Sequence, residues 1–193
     1  MKTELGEMFE ISAGYPFRES IQPFVEGNTY VIRSQDIQSD RPVNRLELAK
    51  IQLEVQNSDL FRSRHWVQGG EVLFLSRGQP RASYIEDTFT DLPVVTAAHI
   101  YRIKPIFEKV LPAFLAWQIN HKVHLGHLMQ EGSTVPSVRR KQLESLVITL
   151  PVISIQEQVL SLWRMISKER RLYQQLMVSR QLEFQTMVED LMA

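Results

Sequence analysis

Nothing after Pro151 breaks a helix or forces a turn, because all nine prolines and all eight glycines of the 193-residue chain lie at or before that position. From Ser154 to Ala193 the chain therefore reads as one long helix. Ser154 followed by Glu157 has the form of a capping box, in which the serine hydroxyl accepts from the third backbone N–H and the glutamate reaches back to the cap. About 38 residues at roughly 1.5 Å of rise make a rod of about 57 Å, longer than a domain of this size is wide. Such a rod extends beyond any cover its own domain can offer.

The apolar residues of this tail are Ile155, Val159, Leu162, Ile166, Tyr173, Leu176, Phe184, Met187 and Leu191. Their spacing of mostly three or four defines one helical face. Glu169 and Arg180 fall on the same face, so a strict heptad fails and a long parallel zipper is disfavoured. Antiparallel packing on a second helix, or on another subunit, fits the pattern. An amphipathic helix lying on its own domain's core remains the alternative, and the length argues against it.

The remainder holds enough apolar sequence for a core, at 44% of the chain overall, so a globular domain over 1–151 with an appended helix over 152–193 is expected. The absence of cysteine removes disulfides, thiol nucleophiles and thiolate metal sites, which fits a reducing compartment. Glu4, Glu7 and Glu10 do not resemble a signal peptide, and no apolar run approaches about 18 residues, so a cytoplasmic protein without membrane association is expected. The formal net charge of zero conceals a division. Residues 1–60 carry 6 Lys/Arg against 10 Asp/Glu, residues 61–141 carry 11 against 6, and the rest carries 5 against 6. All five histidines also lie in the basic middle segment, where a polyanion would be met.

Along the chain, residues 5–33 read as a loop around Gly14 and Pro16 that runs into an extended Thr29–Arg33, with Tyr30 to Ile32 as a strand. Residues 41–60 alternate over Ile51, Leu53 and Val55 and are read as strand. Further strands are expected at Glu71–Leu75, Ala82–Ile85, Val94–Thr96, Ile100–Ile103 and Leu146–Leu150. A helix is expected from Pro112 to Leu125, with the proline in the first turn where its missing N–H costs nothing, and a short one around Val138–Leu143. The fold class is α+β: a sheet-rich domain followed by one long coiled-coil-like helix.

Motifs for catalysis are missing. There is no Gly-x-Gly-x-x-Gly, no phosphate-binding loop, no Asn-Pro-Pro-aromatic run and no Glu-x-Lys or Asp-x-Lys triplet, so a non-catalytic protein is expected. His121, His124 and His127 have a spacing that could ligate zinc, but Gly126 interrupts them and no fourth ligand sits nearby, which favours a solvated helix end. Ser133 and Thr134 beside Arg139, Arg140 and Lys141 could hold a phosphate or form a solvated cap. Arg77, Gln79 and Arg81 are side-chain types suited to guanine and adenine edges, although polar loops on sheets are common without such a role.

Taken in order, Leu5-Gly6-Glu7, Gly14-Tyr15-Pro16-Phe17-Arg18, Gly70-Glu71-Val72-Leu73-Phe74-Leu75-Ser76-Arg77-Gly78, Gly132-Ser133-Thr134-Val135-Pro136 with Arg140-Lys141-Gln142-Leu143, and Leu150-Pro151 with Gln156-Glu157-Gln158 resemble the specificity subunits of type I restriction-modification enzymes. The resemblance spans nearly the whole chain. It implies a target recognition domain that grips half of a split site on double-stranded DNA, a spacer helix, and docking of a methyltransferase subunit. That partner would carry S-adenosylmethionine and bring a restriction subunit indirectly, while this chain binds no cofactor. Family members carry two recognition domains and two spacer helices, and this sequence shows one of each. A half-subunit that forms a homodimer through Val159, Leu162, Ile166, Tyr173, Leu176, Phe184, Met187 and Leu191 is therefore expected. The DNA contacts expected from side-chain chemistry are Arg18, Arg62, Arg64, His65, Arg77, Gln79, Arg81, Ser133, Thr134, Arg139, Arg140 and Lys141. A helix-mediated modulator of a restriction complex, without DNA reading of its own, is the alternative.

Overall fold

The computed structural model describes residues 1–53, 65–106, 109–124 and 137–192. In chain order the elements are β1 (Lys2–Glu4), α1 (Leu5–Met8), β2 (Phe9–Ala13), β3 (Thr29–Ile32), β4 (Ala49–Ile51), β5 (Val72–Leu75), β6 (Arg81–Tyr84), β7 (Val94–Thr96), β8 (Ile100–Pro105), α2 (Pro112–His124), α3 (Arg140–Glu144), β9 (Val147–Thr149) and α4 (Ile153–Met192). Two short 3-10 turns, Ser34–Asp36 and Arg45–Glu47, lie between β3 and β4. The class is the expected one, a sheet-rich domain followed by a single long helix.

The largest sheet has the order β2-β8-β5-β6 and is antiparallel throughout. A second sheet, β4-β3-β7, pairs β3 antiparallel with β4 and parallel with β7. All four residues of β5 are buried, which explains its unbroken run of apolar side chains, since a strand covered on both faces has no polar alternation to show. Val72 and Phe74 pack into a core shared with Leu115, Ala116 and Ile119 of α2. Leu73 and Leu75 enter a second core with Tyr30, Ile32 and Val94 of the smaller sheet. The two sheets thus sandwich one core, and α2 covers the outer face of the larger sheet.

Strand edges are closed by amide side chains of α2. Asn120 accepts from the Ala82 N–H through Oδ1 at 2.7 Å and donates to the Ala82 carbonyl at 2.9 Å, imitating a neighbouring strand on the outer edge of β6. Gln118 does the same to Thr149 of β9, at 2.8 and 2.6 Å. Within the large sheet Arg102 grips Glu71 bidentately at 2.8 and 2.6 Å, both side chains less than a tenth exposed.

Three sequence expectations need correction. Residues 5–13 are not loop: Leu5–Met8 forms α1, and β2 pairs with β8 over Phe9 to Ala13, while β1 just before them pairs with β9. Phe9 and Ile11 alternate with exposed or half-exposed neighbours, a period-2 signal that the glycine and proline just downstream obscured. Residues 41–60 hold strand only at Ala49–Ile51 among the described residues, because Asn44 accepts from the Leu46 N–H and turns the chain into a 3-10 helix first. The long helix starts at Ile153, with the Val152 carbonyl taking the N–H groups of Ile155 and Gln156, so Ser154 sits in the first turn and not at the cap. The fold needs its helix anchored there by Gln156. Its buried amide accepts from the Leu111 N–H at 2.9 Å and donates to the carbonyls of Lys109 and Pro151, binding the start of α4 to the start of α2.

Candidate nucleic-acid interface

The turn Ala97–His99 between β7 and β8 is the hub of one end of the molecule. Strand registers bring four other strand ends to it. Leu75, the end of β5, lies opposite both Ile100 and Arg81, the starts of β8 and β6. Ala13, the end of β2, lies opposite Tyr101, and Ile32, the end of β3, opposite Thr96. The loops after β2, β3 and β5 consequently leave the sheets at this same end. Ser76 closes the joint by donating its N–H and its hydroxyl to the His99 carbonyl, at 3.0 and 2.6 Å.

On one side of the hub, Tyr15 pairs with Ala97 and donates its N–H to the Thr96 carbonyl at 2.7 Å. Gly14 permits this approach, since a Cβ there would collide with the backbone of Thr96 and Ala97. The Tyr15 ring meets His65 edge-on at 5.6 Å. Arg18 and His65 then line one open concavity with Tyr15, Phe17 and Leu53. On the other side, Gly78 at φ +80° makes the tight hairpin that exposes Arg77 and Gln79. The segment preceding α3 runs along that hairpin, with Arg77 bridged to Ser137 and the Val138 N–H on the Ser76 carbonyl at 2.8 Å. Arg139, Arg140 and Lys141 are thereby carried to the same end, all exposed. Arg140 is held by Glu144 at 2.7 Å, and Gln142 Oε1 accepts from the Arg139 N–H.

Arg81 stands apart from the other expected contacts. Its half-buried guanidinium donates to the carbonyls of Ile37, Gln79 and Ser34, so three of its donors are spent closing the loop after β3 onto β6. Burial lowers its pKa from the ordinary arginine value. Arg62, Arg64, Ser133 and Thr134 lie outside the described residues, as does His127; the side chain of His124 does too. His121 stacks on Trp117 at 5.7 Å with the rings 8° from parallel, and the described residues contain no cluster suited to a metal ion.

Ser34 and His99 also belong to this end of the molecule, without any motif to mark them in the sequence. The Ser34 hydroxyl meets His99 Nε2 at 2.9 Å, directly beneath the Arg77 hairpin. Burial, and then repulsion by Arg77, holds the His99 imidazole below its ordinary pKa, so it is neutral at pH 7 and can exchange a hydrogen bond with the hydroxyl. Its only sequence signal was membership of the basic middle segment.

The arrangement offers two groups of basic and amide side chains flanking the Ala97–His99 turn, on loops held by two sheets, with aromatic rings in one of them. That is the equipment for holding phosphates and reaching base edges. Beyond it α4 runs on as a rod. Leu162, Ile166, Tyr173, Leu176, Phe184, Met187 and Leu191 are half or more exposed, and Val159 is partly buried. Among the described residues, no helix is long and apolar enough to cross a membrane.

Comparison with known proteins agrees with this architecture. The structure is similar to a chain from a study of complex assembly and conformational transition of the type I R-M system, with a TM-score of 0.67 and 16% identity, covering 95% of this chain and 42% of that one. It is similar to the HsdS subunit of Thermoanaerobacter tengcongensis, with a TM-score of 0.62, 15% identity and coverage of 91% and 39%. The type I S subunit of M. genitalium gives a TM-score of 0.53 at 11% identity, with coverage of 94% and 42%. The chain thus spans about two fifths of the length of these solved relatives. A comparison with curated proteins found no match. The sequence profile of the type I restriction modification DNA specificity domain matches residues 1–175, and the chain belongs to that family.

Proposed function

We propose that this chain reads DNA sequence for a type I restriction-modification system, with one target recognition domain over 1–151 and the helix beyond it as spacer and dimerisation element. The observation that carries the reading is the convergence of Arg18, His65, Arg77, Gln79, Arg139, Arg140 and Lys141 on the loops around Ala97–His99. Rigid strands hold those loops, as base readout demands of residues that must meet a groove in register. Arg77 and Gln79 at the hairpin tip take the base-edge role, and Arg139, Arg140 and Lys141 beside them hold phosphates. Adenine methylation belongs to a partner methyltransferase subunit carrying S-adenosylmethionine, with a restriction subunit joining through it.

The exposed apolar stripe of α4 supports pairing with a second copy, because contiguous patches of several hundred Å2 seldom face water. Two identical domains related by a twofold axis would read an inverted repeat interrupted by unread base pairs. The test is binding to random duplex pools at two salt concentrations, followed by sequencing of the bound fraction. Arg77→Ala should cost roughly 1–3 kcal/mol and relax one position, whereas Arg140→Ala should weaken all sequences alike and reduce the salt slope by about one. Salt-insensitive binding, or an uninterrupted asymmetric target, would refute the reading.

A further inference from the structure

Where α4 leaves the domain, its underside closes a cleft of about 410 Å3 against α2, the start of β6 at Pro80 and Arg81, and Ser39 of the segment after β3. Trp117, Trp163, His121, Arg81 and Arg170 line it. It continues outward past Ser167 and Arg171. We propose that this cleft is a docking site for an acidic, aromatic-bearing segment of a partner protein.

The inner wall is aromatic and already ordered. Trp117 is packed on Phe114 at 5.5 Å and stacked with His121, and both indoles, Trp117 and Trp163, remain only half-buried. Tryptophan and arginine together are the residue types that anchor protein interfaces, and at ~30 Å3 per water the cleft displaces about a dozen waters when filled. The rim supplies positive charge. Among the described residues neither Arg170 nor Arg171 has an ion-pair partner, and Asp40 is the acidic residue in the outer lining. Among the described residues the Ser167 hydroxyl, on a residue 7% exposed, has no hydrogen-bond partner, and it lines the outer part, so a donor waits there for an acceptor.

The polar groups of the inner wall are committed. Asn120 is bound to Ala82 and Ser39, and Arg81 to three carbonyls. A nucleobase entering the cleft would find no free amide on the inner wall among the described residues to read its edge, and a bare phosphate would leave the indoles unfilled. A phenyl or phenol ring followed by carboxylates satisfies both zones.

The three tryptophans make the test internally controlled, since Trp66 packs in the core between the sheets, away from the cleft. The full chain is labelled with nitrogen-15 and its three indole N–H signals are followed during titration with the blocked peptide Glu-Phe-Asp-Glu. Saturable shifts of the Trp117 and Trp163 signals, with Trp66 unmoved, are expected in the millimolar range. Arg170→Glu should weaken the response at least tenfold while leaving the Trp66 signal in place, Trp163→Phe should keep the Trp117 shift, and the Lys-Phe-Lys-Lys peptide should give none. Absence of any saturable shift, an equal response to the lysine peptide, or the same shifts with adenosine monophosphate or duplex DNA would overturn the proposal. None of these outcomes depends on whether the hub loops read DNA.

Discussion

The first and second halves of α4 are one uninterrupted helix with opposite relations to the domain. From Ile153 to about Arg171 the helix lies on the protein through Gln156, Leu160, Trp163 and Ser167, spaced four, three and four apart. From Leu172 to Met192 nearly every side chain is exposed. The apolar stripe through Ile155, Leu162, Ile166, Tyr173 and Leu176 is turned about 100° around the axis from the docked face, taking 3.6 residues per turn. The docked face is the more polar of the two, and it works because Gln156 satisfies three backbone groups inside the domain. The greasy stripe runs through both halves without regard to where the domain ends. Its own domain leaves that stripe uncovered along the whole helix.

The sharpest way to break this contrast is Leu160→Ala. Leu160 is 6% exposed, and removing it should cost about 2–5 kcal/mol of domain stability in thermal or denaturant unfolding. Leu176→Ala, in the free half, should leave the stability of the isolated domain within about 0.5 kcal/mol. Equal losses would mean the two halves are not distinct. Next, Gln156→Leu keeps the shape but strands the Leu111 N–H and two carbonyls, for an expected loss of roughly 1–3 kcal/mol. A neutral substitution would show that water reaches that joint.

Self-association should respond in the reverse sense. Light scattering should give twice the monomer mass for the native chain, and Leu176→Asp should return it to monomer with the melting of the domain unchanged. A monomer at tens of micromolar would refute the pairing. Removing seven residues from Ser167 to Tyr173 should shorten the gap in any selected DNA target by a fixed number of base pairs while both half-sites persist. An unchanged gap would show that the rod is no ruler.

The smallest expected effect is on pH. His99 has a depressed folded pKa, so below the ordinary histidine value the unfolded chain takes up the proton more readily than the folded one. Its contribution is complete above about pH 6.5 and is lost as pH falls through the folded value. His99→Gln should flatten the dependence of domain stability between pH 7 and 5, read by melting at each pH. A slope unaffected by that change would place the titration elsewhere.

Much of the candidate interface was legible because exposed basic residues sit on loops bounded by glycine and proline. Arg77, with Gly78 after it, and Arg139 before a short helix are examples. Arg81 and Arg102 were not legible, since a guanidinium in sequence looks the same whether it faces DNA, three backbone carbonyls or a buried glutamate. Trp117, Trp163 and His99 gave no signal either. Their settings bring together distant parts of the chain, Ser34 and Ser76 around His99, and Ser39 with both indoles.

What the amino-acid order determined by itself is local: a helix after Pro151 that nothing interrupts, a strand at Glu71–Leu75, a helix opening on Pro112, and an apolar stripe too long for one domain. These follow from steric limits on proline and glycine and from the 2.0 and 3.6 periodicities, which act over a few residues. Tertiary structure alone decided that Met1 to Ala13 would be strands and a helical turn beside β8 and β9, that the turn at 97–99 would gather the basic loops, and that a polar face of α4 would dock while its apolar face stayed free. Each depends on which distant backbone offers the matching donors and acceptors, and that choice is made by the packing of the whole chain.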